Sequence, residues 1–409
     1  MFHYLKTFSL VFFALFITMI TFNFLVDPYG YWHGIKIYGF NALKPDKQKD
    51  DRISKMGAWA RHPTPNLILG SSRGAFGLDP DHYGFNGNVH NLALAALSLD
   101  EAKRLLIWLV NTTQVKKVIF GTDFFAANMY FKMSQTYDGN FNYFRRLTPV
   151  TFFGTALSSL KTIFSQYQQN NRTSNWDSRD GSHYFFGDTF QSQHPLFQSC
   201  DSDSLNYFLP SPAYQFSFNA NGKSTEDYYR KMFALAHQKN IDLRVFISPT
   251  HARHMEVIYV LGLWPLQDKW LRIMVKVNEE EAALAGKAPF PLWDFSGFNS
   301  LTTEEVPALG DTETRMKWYW ESSHYKKELG DLVLDRVLDY SSPNRKVPAD
   351  FGVLLDSKIL EAHLNQVRID RDVWRKSHPE DVKEIAEMAA KAETKRAFMK
   401  AKKKVPTAR

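Results

Sequence analysis

The chain has 409 residues, which is enough for two domains or for one large domain with insertions. Hydrophobic residues make up 44% of it and charged residues 23%, and this balance excludes disorder over the whole chain. The formal charge of +7 comes from the end of the chain, where residues 395–409 include seven basic and no acidic side chains. The rest is close to neutral, which argues against a nucleic-acid-binding face. The single cysteine, Cys200, excludes an intramolecular disulfide.

The first predicted element is a helix that spans a membrane. Residues 7–26 form a run of 20 uncharged residues, which as a helix would be about 30 Å long and would match the hydrocarbon core of a bilayer. No small-x-small cleavage site follows the run, so we predict an uncleaved signal anchor over residues 1–30. Lys6 precedes the run and Asp27 follows it, which favours a large domain that faces the periplasm or the cell exterior.

Short apolar runs that follow turn segments predict the strands of a parallel sheet. They cover residues 66–70, 115–121, 243–248 and 290–294, and residues 89–94 are a fifth candidate. Helical patterns separate these runs: a capping box starts at Ser98, a helix covers residues 225–239, and another helix follows His324. The alternation predicts an α/β domain over residues 60–342, with a doubly wound parallel sheet in the order 2-1-3-4-5.

Two segments do not fit this alternation. Residues 130–215 are rich in Phe, Tyr, Asn, Gln and Ser, which indicates an insertion over the active-site edge or a mobile loop. After Pro343 the composition changes to a charged helical region with Leu360, Leu364 and Val367 on one face. Residues 343–409 are therefore predicted to be an appended helical extension with a basic end.

The carboxyl ends of the predicted strands carry the candidate catalytic residues. Residues 70–72 read Gly-Ser-Ser directly after the first strand, and the glycine permits a tight turn that exposes a serine hydroxyl. Glu321 precedes His324 by three residues in the loop before the last helix of the sheet domain. A carboxylate at that spacing can orient the imidazole through Nδ1 and leave the other nitrogen to take a serine proton. A second interpretation is a helix start capped by Ser322 or Ser323.

Together these motifs resemble those of the SGNH hydrolase and acyltransferase superfamily, over roughly residues 60–340. In that superfamily the nucleophile follows the first strand in a Gly-Asp-Ser or Gly-Ser-Ser turn, and the last motif is Asp-x-x-His. The resemblance implies that Ser72 is the nucleophile, that His324 is the general base, and that Glu321 orients His324.

The layout of an anchor followed by an extracytoplasmic domain is similar to that of membrane-attached proteins that O-acylate cell-surface polymers. The alginate O-acetyltransferase group and the teichoic acid D-alanylation protein are examples. This resemblance implies acyl transfer to, or deacylation of, a cell-envelope glycan through an acyl-Ser72 intermediate. It also implies an integral-membrane protein as acyl donor, and no cofactor is expected.

Several positions depart from the superfamily pattern. Asp123 stands where the superfamily has the asparagine of Gly-x-Asn-Asp, and a carboxylate there would repel an oxyanion unless it were protonated or turned away. The usual second-block glycine is absent, which leaves Asn91 as a candidate oxyanion donor. Glu321 is one methylene longer than aspartate, so Asp294, at the end of the last strand, is an alternative partner for His324. These departures motivate a second hypothesis: a protein with little or no turnover that serves in binding or in assembly of a surface-polysaccharide machine.

Other candidates for substrate binding lie at the same strand ends. Arg73 directly follows the candidate nucleophile and could bind a carboxylate or phosphate, or form an ion pair at the sheet edge. His251 and Arg253 follow the fourth strand and are candidate substrate contacts. His251 and His254 have a His-x-x-His spacing, but no third ligand stands nearby in the sequence, so we expect no metal.

Overall fold

The computed structural model describes residues 2–30, 35, 37–42, 51–131, 149–168, 192–208 and 216–404. They divide into two compact units, one within Met1–Pro63 and Thr136–Asp177 and the other within Thr64–Gln135 and Ser178–Arg409. The remainder of the predicted insertion at 130–215, and the last residues of the basic end, lie outside the described residues.

Helices and strands alternate along much of the chain. The helices are α1 (Phe2–Val26), α2 (Asp51–Arg61), α3 (Ser72–Gly77), α4 (Leu99–Thr112), α5 (Pro149–Gln168), α6 (His194–Phe208), α7 (Thr225–Gln238), α8 (Ala252–Val260), α9 (Trp264–Ala285), α10 (Lys327–Leu338), α11 (Leu360–Ser377) and α12 (Pro379–Lys404). The strands are β1 (Asn66–Leu69), β2 (Val89–Asn91), β3 (Lys117–Thr122), β4 (Asn219–Ala220), β5 (Lys223–Ser224), β6 (Asp242–Ile247), β7 (Leu292–Asp294) and β8 (Val353–Leu354).

The first unit contains α1, α2 and α5. Helix α1 is long and apolar enough to cross a membrane, and most of its large side chains are exposed. A helix of this kind at an amino terminus serves as a membrane anchor or as a signal sequence. Its carboxyl-terminal end contacts α5, where Ser159 donates a hydrogen bond of 2.9 Å to the side chain of Asn23. Just beyond α1, Tyr29 donates to Ser158 at 2.9 Å.

The second unit is an α/β domain around a mostly parallel six-stranded sheet. The strand order is β2-β1-β3-β6-β7-β8, and all neighbours pair in parallel except β7 and β8. The five parallel strands therefore follow the predicted order. Because they are parallel, the carboxyl ends of β1, β3, β6 and β7 lie at one edge of the sheet.

Apolar side chains of the sheet and of α10 form a common core. Ile68, Ile119 and Phe246 from three neighbouring strands belong to one buried cluster with Leu329 and Val333 of α10. Complete burial of side chains of this size contributes roughly 1.5–3 kcal/mol each. This packing fixes α10, and with it the loop that precedes α10, against the sheet.

The carboxyl-terminal segment is part of the second unit. Strand β8 pairs antiparallel with β7 and extends the sheet, and Leu360, Leu364 and Trp374 of α11 are buried. The sequence analysis did not predict β8, because two residues are too short for a periodic signal. The segment thus adds an edge strand as well as two helices.

Candidate active site

A sharp turn at the end of β1 presents the candidate nucleophile. A Cβ built on Gly70, which has φ +155°, would lie 2.9 Å from the carbonyl oxygen of Gly121, so only glycine fits this close approach to β3. Ser71 then caps α3 by accepting a hydrogen bond from the backbone N–H of Arg73. Ser72 is consequently the first residue of α3, and its side chain remains partly exposed.

Close packing at two glycines holds α3 against α10. A Cβ at Gly77 would lie 1.9 Å from the ring of Tyr325, and one at Gly330 would lie 1.7 Å from the carbonyl oxygen of Gly77. On the same helix, Phe76 meets the imidazole of His324 edge to face, with ring centroids 5.5 Å apart. The helix that begins with the candidate nucleophile is therefore packed directly against the candidate base and the helix that follows it.

The structure brings Ser72, His324 and Glu321 into one hydrogen-bonded chain. Nε2 of His324 lies 2.7 Å from Oγ of Ser72, and Nδ1 of His324 contacts the Glu321 carboxylate. The same carboxylate accepts the backbone N–H groups of Ser323 at 2.7 Å and of His324 at 3.0 Å. If Nδ1 carries the proton, Nε2 is free to accept the serine hydroxyl proton, which is the arrangement a general base requires.

Glu321 is buried and remains ionised at neutral pH. Burial alone would raise the pKa of its carboxyl, but its interaction with His324, with further contributions from the Cys200 thiol and the backbone N–H of Ser323, holds the pKa below its ordinary value. The loop that carries Glu321 is closed by an antiparallel bridge between Tyr319 and Tyr325. The glutamate side chain folds back over this loop, where it contacts the imidazole of His324 and two backbone N–H groups.

The side chain of Arg73, the residue after Ser72, is buried. Its Nη1 donates to the Asp123 carboxylate at 2.6 Å, and its Nε donates to Oγ of Ser323 at 3.0 Å. Its Nη2 lies 3.0 Å from Nε2 of His254. A guanidinium can only donate, so His254 accepts through Nε2 and carries its proton on Nδ1, which faces Ser204 at 3.3 Å.

These contacts show how the site accommodates Asp123. Burial, followed by the positive charge of Arg73, holds the pKa of His254 well below its ordinary value, so this histidine is neutral. Arg73 then remains as a cation beside Asp123 and compensates its negative charge. The predicted role of Arg73 as a substrate ligand is not what the structure favours, because its donors are directed at protein groups.

Asn91 supports α3 and does not offer a free donor. Its side-chain amide donates to the carbonyl oxygens of Gly74 at 2.9 Å and Leu78 at 2.8 Å. Its side-chain oxygen accepts the backbone N–H of Ala93. Both amide hydrogens are therefore used to hold the helix that carries the candidate nucleophile, and neither is directed at an oxyanion.

His251 and Arg253 are buried within the protein and do not face a substrate. His251 caps α8 by accepting the backbone N–H of Arg253 on Nδ1, and its Nε2 donates to the carbonyl oxygen of Glu304 at 2.6 Å. Burial lowers the pKa of His251 to about 3, so it stays neutral.

The Arg253 side chain is fully buried and pairs with three carboxylates, those of Asp201, Asp381 and Glu384. Among the residues that the structure describes, no group of three or more His, Cys, Asp or Glu side chains could hold a metal ion.

Asp294 does not contact His324, the candidate base. Its carboxylate lies 2.9 Å from Nε2 of His363 on α11, and it also accepts the hydroxyl of Ser296 at 2.6 Å. Glu321 alone of the two predicted carboxylates therefore orients His324. The Asp294–His363 pair instead attaches α11 to the end of β7.

We expect the Asp294–His363 pair to make stability depend on pH. Burial would lower the pKa of His363, but its hydrogen bond to Asp294, the Asp294 charge and the nearby Asp370 raise it above the ordinary value. A raised folded-state pKa stabilises the protein below about pH 6.5, and the contribution is lost as pH rises through the folded-state pKa. Urea unfolding should therefore show that His363→Gln destabilises the protein more at pH 6 than at pH 9. A deficit that does not change with pH would contradict this assignment, and Asp294→Asn should remove the same pH dependence.

Several residues around Ser72, His324 and Glu321 have contacts that the sequence did not predict. Ser323 and His254 were named above as a possible helix cap and as half of a His-x-x-His pair, but not as partners of Arg73. Gln193 and Cys200 come from the predicted insertion, and no local pattern connects them to the loop that carries Glu321. Only the fold brings these residues together.

The arrangement can perform nucleophilic chemistry at a carbonyl group. Ser72 supplies a hydroxyl, His324 supplies a nitrogen that can take its proton, and an ionised Glu321 can stabilise the resulting imidazolium. Comparison with protein-family models, curated proteins and solved structures finds no match to this chain.

Proposed function

We propose that this chain is a serine-dependent acyltransferase or esterase of the SGNH type. The observation that carries the proposal is the hydrogen-bonded chain from Ser72 through His324 to Glu321, with 2.7 Å between the serine oxygen and the imidazole nitrogen. That distance is within the range expected of a nucleophile and its general base. The third member is a buried, ionised carboxylate, as the triad mechanism requires.

The position of the triad in the sheet supports the same proposal. Ser72 follows the first strand of the sheet domain, and His324 precedes the last helix that packs on the central strands. With the strand order described above, this placement is the one expected of a doubly wound, three-layer SGNH domain.

In the proposed reaction, Oγ of Ser72 attacks the carbonyl carbon of an acyl donor while Nε2 of His324 takes the hydroxyl proton. The tetrahedral intermediate collapses, the bond to the leaving alcohol breaks, and the imidazolium gives its proton to that alcohol. The acceptor then attacks acyl-Ser72, His324 takes the acceptor proton, and that proton returns to Ser72 as the acyl group leaves. Glu321 holds the imidazole and stabilises its charged form in both halves.

Backbone N–H groups at the 70–72 turn are the proposed donors to the oxyanion. The first N–H groups of a helix have no acceptor within the helix, and Ser72 begins α3. The side chains at the two positions where the superfamily supplies other donors are engaged elsewhere, since Asn91 supports α3 and Asp123 pairs with Arg73.

The proposed acceptor is a hydroxyl of a cell-envelope glycan for a transferase, or water for an esterase. Helix α1 would anchor the chain in the membrane and leave the α/β domain on the periplasmic or outer side. An integral-membrane protein would supply the acyl group. The resemblance to membrane-attached polymer O-acyltransferases supports this substrate class.

A second proposal is that the chain keeps the SGNH fold with little or no turnover and acts in binding or assembly of a polysaccharide machine. It is favoured by the same side chains at the oxyanion positions: Asn91 has no free amide hydrogen, and Asp123 is an acceptor. Loss of oxyanion donors typically lowers rates by a factor of roughly 100 to 1,000 for each donor.

Labelling with a fluorophosphonate probe separates the two proposals. The full-length protein in detergent should react with the probe, and mass spectrometry should locate the adduct on Ser72. Ser72→Ala should abolish the adduct. Ser71→Ala is the matched control: it removes the cap of α3, which costs about 1 kcal/mol, but it should keep the adduct. A wild-type protein that is folded and does not react would favour the binding protein.

A further inference from the structure

Glu384 of α12, in the carboxyl-terminal segment, is a partly buried carboxylate that contacts both α6 and α8. Glu384 accepts a hydrogen bond of 2.6 Å from the side chain of Gln198 and lies 3.2 Å from Nε2 of His194, both on α6. It also accepts a hydrogen bond of 2.6 Å from Arg253 on α8. Burial would raise the pKa of Glu384, but its hydrogen bonds to Gln198 and Arg253 lower the pKa to about 2. Glu384 is therefore an anion that links α12 to α6, together with a hydrogen bond of 2.9 Å from Arg396 to the carbonyl oxygen of Leu205.

The residue immediately before α6 in turn holds the chain that leads into Glu321. Gln193 is fully buried, and its amide donates to the carbonyl oxygens of Tyr319 at 2.8 Å and Trp320 at 3.3 Å. Its side-chain oxygen accepts the backbone N–H of Met316 at 2.8 Å. The two backbone carbonyls that precede Glu321 are thus fixed by α6.

Two further contacts connect α6 to the site. Ser204 lies 3.3 Å from Nδ1 of His254, the histidine that accepts from Arg73. The thiol of Cys200, on the same helix, contributes to the low pKa of the Glu321 carboxyl. Helix α6 therefore reaches the triad carboxylate and the network beneath it from one side.

We propose that Glu384 and Gln193 are positioning residues for acyl transfer, through which the carboxyl-terminal helix sets the position of the Glu321 loop. This inference rests on the proposed function and deepens it. Neither residue touches the reacting atoms. Their effect would pass from α12 to α6 and from α6 to the backbone at residues 316–320.

The reason to expect an effect on rate is geometric. Catalytic groups act only when they are held close to the reactive arrangement, and a displacement of about 1 Å caused by a distant substitution can cost a factor of about 100. Glu321 belongs to a loop whose leading backbone depends on Gln193. A looser α6 would let His324 turn away from Ser72 without unfolding the domain.

The test uses full-length protein in detergent, p-nitrophenyl acetate as substrate and the fluorophosphonate probe. Glu384→Gln and Gln193→Leu should each lower kcat, and slow labelling of Ser72, by roughly 10- to 100-fold. KM should stay within about twofold, because the groups that bind the ester are untouched.

In the double variant, kcat should fall by much less than the product of the two single effects, since both substitutions act on one connection. Gln198→Ala removes a single contact with Glu384 and should give a smaller loss in the same direction, which provides a milder variant if the others fold poorly.

Glu256→Gln is the matched control. Glu256 is a buried carboxylate on α8 that also pairs with the carboxyl-terminal segment, but its partner, Arg375, lies on α11. It should keep kcat within about threefold whatever its effect on stability, because its pair with Arg375 does not reach α6. If kcat falls in both variants in proportion to stability, or if only KM changes, the positioning role is rejected. A wild-type protein that neither reacts with the probe nor hydrolyses the ester rejects the proposed function itself. A reactive wild type with an unaffected Glu384→Gln variant rejects only the positioning role.

Discussion

Replacing Ser72 by Ala is expected to lower hydrolysis of p-nitrophenyl acetate by a factor of about a thousand or more. The substitution removes the proposed nucleophile, which is a single, partly exposed hydroxyl. The free energy of unfolding should therefore change by no more than about 0.5 kcal/mol. Activity and urea unfolding measured on the same preparation would show the two effects separately.

His324→Ala should be about as severe as Ser72→Ala, and the double variant should be no worse than either. The reason is that a nucleophile without its base, or a base without its nucleophile, leaves only the catalysis that binding and the oxyanion donors provide. Additive losses would mean that the two side chains act independently. A Ser72→Ala variant with full function in cells would reject the enzyme and support the binding protein.

Replacing Arg73 by Met is expected to destabilise the domain by roughly 3–5 kcal/mol, because it leaves the buried carboxylate of Asp123 without its cation. The hydrogen bond to Ser323, which adjoins the proposed base His324, is lost as well. We therefore expect the remaining folded protein to be less active than wild type. Urea unfolding at neutral pH measures the stability loss.

The double variant Arg73→Met with Asp123→Leu tests the cause of that loss. Replacing both partners of a buried ion pair by apolar residues is often neutral or stabilising, so most of the stability should return. Activity should not return with it, since the contact of Arg73 with Ser323 remains absent. A double variant as unstable as the single one would show that Arg73 stabilises the fold mainly through its other contacts.

Local patterns were sufficient for much of the fold. The uncharged run near the amino terminus predicted α1, because an uncharged apolar segment of that length is typical of a helix that can cross a membrane. Apolar runs predicted the parallel strands to within one to three residues at their ends, because strands buried on both faces are continuous in hydrophobicity. Capping by Ser98 also followed from the sequence: its side chain accepts the backbone N–H of Glu101 at 3.3 Å.

The sequence by itself also placed Ser72, Glu321 and His324 at the ends of predicted elements, and the strand order then implied one common edge of the sheet. It could do so because a turn glycine and a three-residue spacing are local features. The sequence could not predict which carboxylate orients His324, because both Asp294 and Glu321 were candidates. The direction of each side chain depends on the packing of α11 and of the 319–325 loop.

Only the tertiary structure decided what the polar residues around the triad do. The sequence offered four candidates for contact with the substrate or the oxyanion: Arg73, Asn91, His251 and Arg253. In the structure, each of them bonds to other groups of the protein. The physical reason is that a buried polar side chain must find a partner, and its partner is set by long-range packing rather than by neighbouring residues. The same holds for Gln193, whose contacts with the Glu321 loop join segments far apart in the sequence. It also holds for Glu384, whose contacts with α6 and α8 exist because the carboxyl-terminal segment folds onto the sheet domain.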